Sequence, residues 1–196
     1  MYVPEDFRCN NEELISTIVE KFPLALAIVP GVDEAYPIPV IRENNYFLGH
    51  LSKRNSLVKA LGEAGSAHLI FLGPNAYISP NWYEDPSTSV PTWNYCVADF
   101  LCHVNPFTHK DEIISVIETQ VQRHDPQWRI NQLSQDLLDE MLEEITAFRF
   151  DIVSVQSKIK MSQNRSKNEQ EQVIHHLKSQ PTSVSVGDVM AKLYGL

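Results

Sequence analysis

The chain has 196 residues, 43% of them hydrophobic, with 25 acidic against 16 basic residues and a formal net charge of −9. That length fits one domain, or one domain with an appendage, and no run of basic residues exceeds two, which disfavours a direct nucleic-acid partner that would need clustered Lys and Arg on its phosphates. Cys9, Cys96 and Cys102 form no C-x-x-C pair, Met1 to Asn10 lacks an apolar leader, and no apolar run approaches the ~20 residues of a membrane span, so the expected setting is a reducing cytoplasm with no membrane partner.

Asn10-Asn11-Glu12-Glu13 is a helix start with an Asn cap and acids in the first turn. Leu14, Ile15, Ile18, Val19 and Phe22 follow at helical spacing until Pro23. Leu24–Val29 has the length and composition of a buried strand, and Pro30-Gly31-Val32-Asp33 of a turn. Val40-Ile41 and Tyr46–Leu51 are the next two strands. Ser52 to Asn55 lead into a short helix with Leu57, Val58 and Leu61 apolar, closed by Gly62 and Gly65. Ala67–Leu72 is a strand, Gly73-Pro74-Asn75 a bend, and Tyr77 to Pro80 a short extended piece. A polar loop from Asn81 to Pro91 comes next, long enough to be functional.

Thr92–Val104 alternates cleanly, with Cys96, Ala98, Phe100, Cys102 and Val104 on the core face. Asp111–Arg123 and Asp136–Ile145 are helices. Ala147–Ile159 alternates again, Phe148, Phe150 and Ile152 on one face and Val153 and Val155 on the other. Asn168–Leu177 is a polar helix, and Ser185-Val186-Gly187-Asp188 has capping-box spacing before a last short helix through Leu193. Six or seven strands with turn signals and outlying helices imply a mainly β protein, a barrel with α additions.

Three segments gather polar and aromatic groups at element ends. Gly49-His50-Leu51-Ser52-Lys53-Arg54-Asn55 joins a strand to a helix start and offers a hydroxyl, two cations and free helix N–H groups, which suits an anion such as phosphate. An ordinary capped helix with solvated charges would use the same residues. Tyr77, Ser79, Trp82 and Tyr83, with Thr92-Trp93-Asn94-Tyr95, flank one Pro-rich loop; such rings sandwich a planar ligand or plug the end of a barrel. Lys160-Met161-Ser162-Gln163-Asn164-Arg165 puts two cations and three hydrogen-bonding side chains just past the last long strand, in a ligand site or a solvated turn. No Gly-x-Gly-x-x-Gly, Walker loop or G-x-S-x-G elbow is present. The histidines lack metal-like spacing, so no metal is expected, and no catalytic residue is assigned.

Met1-Tyr2-Val3-Pro4 with Phe7, Gly49-His50-Leu51, Gly73-Pro74-x-Ala76-Tyr77-Ile78-Ser79-Pro80-x-Trp82-Tyr83, Val90-Pro91-Thr92-Trp93-Asn94-Tyr95 and Lys160 to Arg165 together resemble the PaiB family. Its members are described as FMN-binding negative transcriptional regulators and belong with the split-barrel flavoproteins related to pyridoxamine-phosphate oxidase. The resemblance runs from residue 1 to about residue 180. It implies a split β-barrel with peripheral helices, a homodimer, and an FMN cofactor near the subunit interface. The barrel would span residues 1–165, with a helical extension over 166–196. The cofactor site would comprise His50, Ser52, Lys53, Arg54, Asn55, Tyr77, Ser79, Trp82, Thr92, Trp93, Asn94, Tyr95, Lys160, Ser162, Gln163, Asn164 and Arg165. Within it Ser52, Lys53 and Arg54 take the phosphate, Trp93, Asn94 and Tyr95 wall the ring or ribityl chain, and residues 160–165 close the site. The chain departs from the family where a His is usual after the first strand: Ala35-Tyr36-Pro37-Ile38-Pro39-Val40 has Pro37 there.

The first functional expectation is a flavin-dependent reductase or oxidoreductase, with NAD(P)H as donor, because the flavin does the hydride chemistry and no general base stands out. The second is a negative regulator acting through ligand sensing or a partner, without a visible helix-turn-helix. The third is a split barrel that holds haem on an axial His50 or His103.

Overall fold

A computed structural model describes residues 1–179 and 190–195. The Ser185–Asp188 capping box lies outside the described residues. The elements in chain order are α1 (Glu12–Lys21), β1 (Leu24–Ile28), β2 (Ala35–Glu43), β3 (Tyr46–Ser52), α2 (Ser56–Ala64), β4 (Ser66–Ile78), β5 (Thr92–Pro106), α3 (Lys110–His124), α4 (Gln135–Glu143), β6 (Ile145–Lys160) and α5 (Lys167–Lys178). The strands close into a barrel in the order β1-β2-β3-β6-β5-β4. Pairing is antiparallel from β1 to β2, β2 to β3, β3 to β6 and β1 to β4. This is the split-barrel architecture with helices that the sequence implied. No helix among the described residues is long and apolar enough to cross a membrane.

By density of packing the chain forms two compact units. One comprises Met1–Ile18, Leu72–Ala98 and Gln156–Leu196; the other comprises Val19–Phe71 and Asp99–Val155. In the second unit Phe47, Phe71 and Phe100 are all at 0% exposure, with ring centroids 5.0–5.6 Å apart. Each such ring contributes about 1.5–3 kcal/mol by leaving water. Strand β3 is buried on both faces, because Leu48 on its other side packs in one cluster with Ile113 and Val116 of α3, Leu142 of α4 and Ile41 of β2. In the first unit the close approach is at Gly73, where a Cβ would come within 2.9 Å of the Cys96 Cβ and 3.2 Å of Ile18.

Several boundaries differ from the sequence reading, each for a tertiary reason. Strand β2 begins at Ala35 and includes Pro37 and Pro39. Val40 donates to the Pro23 carbonyl on the β1 side, so the alternate prolines turn the other way, where β3 pairs only from Val40 onward and asks for no donor. Strand β4 runs through the Gly73-Pro74 bend to Ile78; two successive buried residues there shift the inward phase by one, the mark of a bulge. Ile145 opens β6 instead of ending α4, because it pairs with Ser52 of β3. Gly62 lies within α2, and Gly65, at φ 63°, caps it. The cap of α1 is Asn11, whose side chain accepts from the Leu14 N–H at 3.0 Å.

Candidate functional site

The first segment sits at the end of β3 in the second unit. After Ser52 the chain turns through Lys53 and Arg54 to Asn55, whose side chain caps α2 by accepting from the Leu57 N–H at 2.9 Å. Ser52 Oγ accepts from the Arg54 N–H at 3.3 Å, and the Lys53 N–H donates to the Glu144 carbonyl at 2.8 Å. Among the described residues Lys53 Nζ reaches only a neutral acceptor, the Glu143 carbonyl at 2.5 Å. Arg54 meets Glu144 at 3.1 Å, with 83% of its side chain exposed. Beside this turn Tyr36, Ser56 and Lys59 line a surface cleft of about 430 Å³. His50, two residues before Ser52 on β3, is half-buried and bonds to Gln120 of α3 at 2.6 Å.

The second and third segments meet in the first unit. Lys160 Nζ donates to Thr92 Oγ1 and, at 2.9 Å, to the Trp93 carbonyl. Asn94 is 1% exposed and donates to Ser162 Oγ at 3.1 Å. Ser162 holds a left-handed φ of 63°, and its carbonyl accepts from the Arg165 N–H and the Gln170 amide. Gln163 closes on its own turn through Met161 N–H and the Ile159 carbonyl. Arg165 lies over the buried Tyr83 ring at 4.1 Å, with Ser89 and Glu169 at its guanidinium. Ser79 caps the 3-10 turn that carries Trp82, and Trp82 stacks on His176 of α5 at 5.1 Å. The loop between β4 and β5 is thereby tied to α5 and to the turn before it. Asn164 is exposed in that turn.

In the second segment Tyr77 at 47% and Trp93 at 53% exposure are open to water, edge to face with centroids 6.1 Å apart. Tyr95, next but one along β5, carries Lys158 Nζ 5.2 Å from its ring centre. Burial lowers the Lys160 pKa below its usual value, and the nearby Lys158 charge acts the same way. Among the described residues neither lysine has a carboxylate partner. Lys158 and Gln120 escaped sequence reasoning. Lys158 was legible in principle, because it shares the outward phase of β6 with Lys160; Gln120 looks like any polar residue on an amphipathic helix.

Comparison with known proteins decides the family. Residues 1–154 match the profile of a family described as "Putative FMN-binding domain". The chain belongs to this family. This FMN-binding chain is 26% identical to the protease synthase and sporulation protein PAI 2 of Bacillus subtilis, over 97% of its own length and 96% of the relative's. An Aspergillus fumigatus protein of unassigned role is 27% identical over 71% of this chain and 68% of its own. Among solved structures, the flavocytochrome Anf3 of Azotobacter vinelandii superposes with a TM-score of 0.63 at 17% identity, covering 79% of this chain and 69% of that one. The FAD and haem binding protein of Mycobacterium smegmatis gives 0.65 at 16% identity, covering 84% and 78%. At those identities the likeness speaks for the fold. The PaiB resemblance, the split barrel and the FMN cofactor thus stand on independent comparisons.

Proposed function

We propose that this FMN-binding protein works as a flavin-dependent reductase fed by NAD(P)H, in a homodimer and in a reducing compartment. The observation that carries the reading is the Ser52–Asn55 turn. It is a strand-to-helix junction with two exposed cations, one on a neutral carbonyl and one on a single surface carboxylate. A phosphate dianion suits such a place, since the helix start adds positive potential to the two cations, while the N–H groups of Lys53, Arg54, Asn55 and Leu57 are spent on holding the turn. Lys53, Arg54 and Ser52 are assigned the phosphate.

The open Tyr77 and Trp93 rings are assigned, separately, to a planar ring. Large exposed aromatics in pairs mark surfaces that something covers. Tyr95, Thr92 and the Lys160 ammonium border them. Asn94, Ser162 and Gln163 hold this border in shape, since their polar groups are spent within the protein. Arg165 and Trp82 pin the loop beside it. Leu72 at 53% and Val90 at 70% exposure are further apolar side chains of the same unit left open to water, and a second copy is proposed as their cover. When bound, FMN supplies the hydride and electron chemistry, and the chain's part is to hold and orient it.

The test is to incubate the protein with FMN, desalt it and record the spectrum, then add NADH. Retained flavin bands that bleach with NADH support the reading; a colourless protein after high-micromolar FMN removes it. Sedimentation of the loaded protein tests the dimer. A second reading is a regulator acting through a partner, which the family resemblance implies; the Bacillus relative is named only for protease synthase and sporulation. With a net charge of −9 it does not call for direct DNA contact. A salt-dependent DNA shift would reverse that judgement.

A further inference from the structure

Gln120 is 9% exposed, and its side-chain amide is committed at both ends. Its Nε2 donates to the Pro39 carbonyl at 3.3 Å, and its Oε1 lies 2.6 Å from His50 Nδ1. A carbonyl oxygen only accepts, so the amide nitrogen must face Pro39 and the amide oxygen must face His50. Turned the other way, two oxygens would oppose each other in a nearly dry site, at the full cost of unmade bonds. The amide oxygen also only accepts. His50 Nδ1 therefore carries a proton whatever the charge of the ring, and in the neutral ring Nε2 is bare.

We infer that Gln120 is a positioning residue that locks neutral His50 in the Nδ1–H form. Its Nε2 is thereby offered as a hydrogen-bond acceptor to a hydroxyl or imide N–H of the bound ligand. The ligand half of this inference rests on the reading that His50 belongs to the flavin site, since a flavin carries both kinds of donor. Without Gln120 the ring would be free to exchange tautomers, and the acceptor would be present only part of the time.

The test is imidazole nitrogen NMR on the 15N-labelled full chain near neutral pH, before any flavin is added. His50 is assigned by its loss in His50→Asn. The expected wild-type spectrum has a protonated Nδ1 and a bare Nε2. Gln120→Met, which keeps the bulk and removes the acceptor, should move the neutral ring toward the Nε2–H form. It should also weaken FMN binding by roughly three- to tenfold, the weight of one hydrogen bond. Gln120→Glu keeps an acceptor for Nδ1 and should keep the proton there, at a cost in stability because it sets an oxygen against the Pro39 carbonyl. A wild-type ring protonated at Nε2, or a tautomer that ignores Gln120→Met, overturns the inference. If Gln120→Met does not fold, the wild-type and Gln120→Glu spectra decide. Failure of the wild-type protein to bind FMN would sink the flavin reading while the tautomer stood.

Discussion

Arg54 and Glu144 form an exposed pair, and such pairs are worth about 0–1 kcal/mol. A phosphate could replace that carboxylate at little cost. Replacing Lys53 and Arg54 together with Ala is therefore expected to weaken FMN binding by about 1–3 kcal/mol for each charge-assisted hydrogen bond to the phosphate that is removed. Stability should hold within about 0.5 kcal/mol, as for other surface changes. Flavin fluorescence titration beside urea melts would show both, and an unchanged affinity would relocate the phosphate. Trp93 should behave alike for a different reason. At 53% exposure its ring is not part of the core, so Trp93→Ala should lower affinity by about 0.5–1.5 kcal/mol while leaving the urea midpoint nearly in place. Asn94 is the contrast. Its amide is buried against Ser162, and Asn94→Ala should cost about 1–3 kcal/mol of stability by leaving that hydroxyl unpaired. At this scale the sequence showed which residues are polar at element ends, but not which are spent internally. Asn94 and Trp93 are neighbours in one motif, and only the strand phase turns one in and the other out.

Elements were most legible where periodicity was long. The alternation of β5 held over its whole length, with Cys96, Ala98, Phe100 and Cys102 all buried. Helix α3 formed where its apolar spacing predicts, but the side it buries against β3 is Ile113 and Val116, with Ile114 and Ile117 only partly buried. Boundaries were least legible where a neighbour decided them. Pro37 and Pro39 look like strand breakers until one sees that β2 lacks a β3 partner there. Gly73 looks like a turn glycine, yet it sits inside β4 because a Cβ would meet Cys96 at 2.9 Å. Gly73→Ala is thus expected to destabilise by about 1–3 kcal/mol, as overpacking does, and a thermal melt beside Gly62→Ala would test it. At Gly62 a Cβ meets nothing within 4 Å, so that change should be neutral or stabilising by up to about 1 kcal/mol.

For the molecule as a whole, the thiols give a pH signature. Burial pushes Cys96 and Cys102 up to about 12 from 9.0. A thiol whose folded pKa is raised contributes stability that is fully present below the unfolded value and is lost as pH rises toward the folded one. Stability should therefore fall between pH 9 and pH 12, and Cys96→Ala with Cys102→Ala should flatten that slope in urea titrations run across the range. At neutral pH the two thiols are protonated and enclosed, so iodoacetamide should label Cys9 first in the native protein and all three after unfolding, as intact mass would report.

By itself the sequence determined the class: alternating apolar phases and turn residues were enough for a barrel with added helices, to which the motif resemblance added the split barrel and FMN. Those are local properties, since side-chain period and turn chemistry are written residue by residue. The tertiary structure alone decided the partners. Lys160 came to lie on Thr92, Arg165 on Tyr83, and Gln120 between Pro39 and His50, across separations of 68 to 82 residues. The reason is that barrel closure sets which distant strands become neighbours, and hydrogen bonds then form between whatever groups the closed register brings within reach.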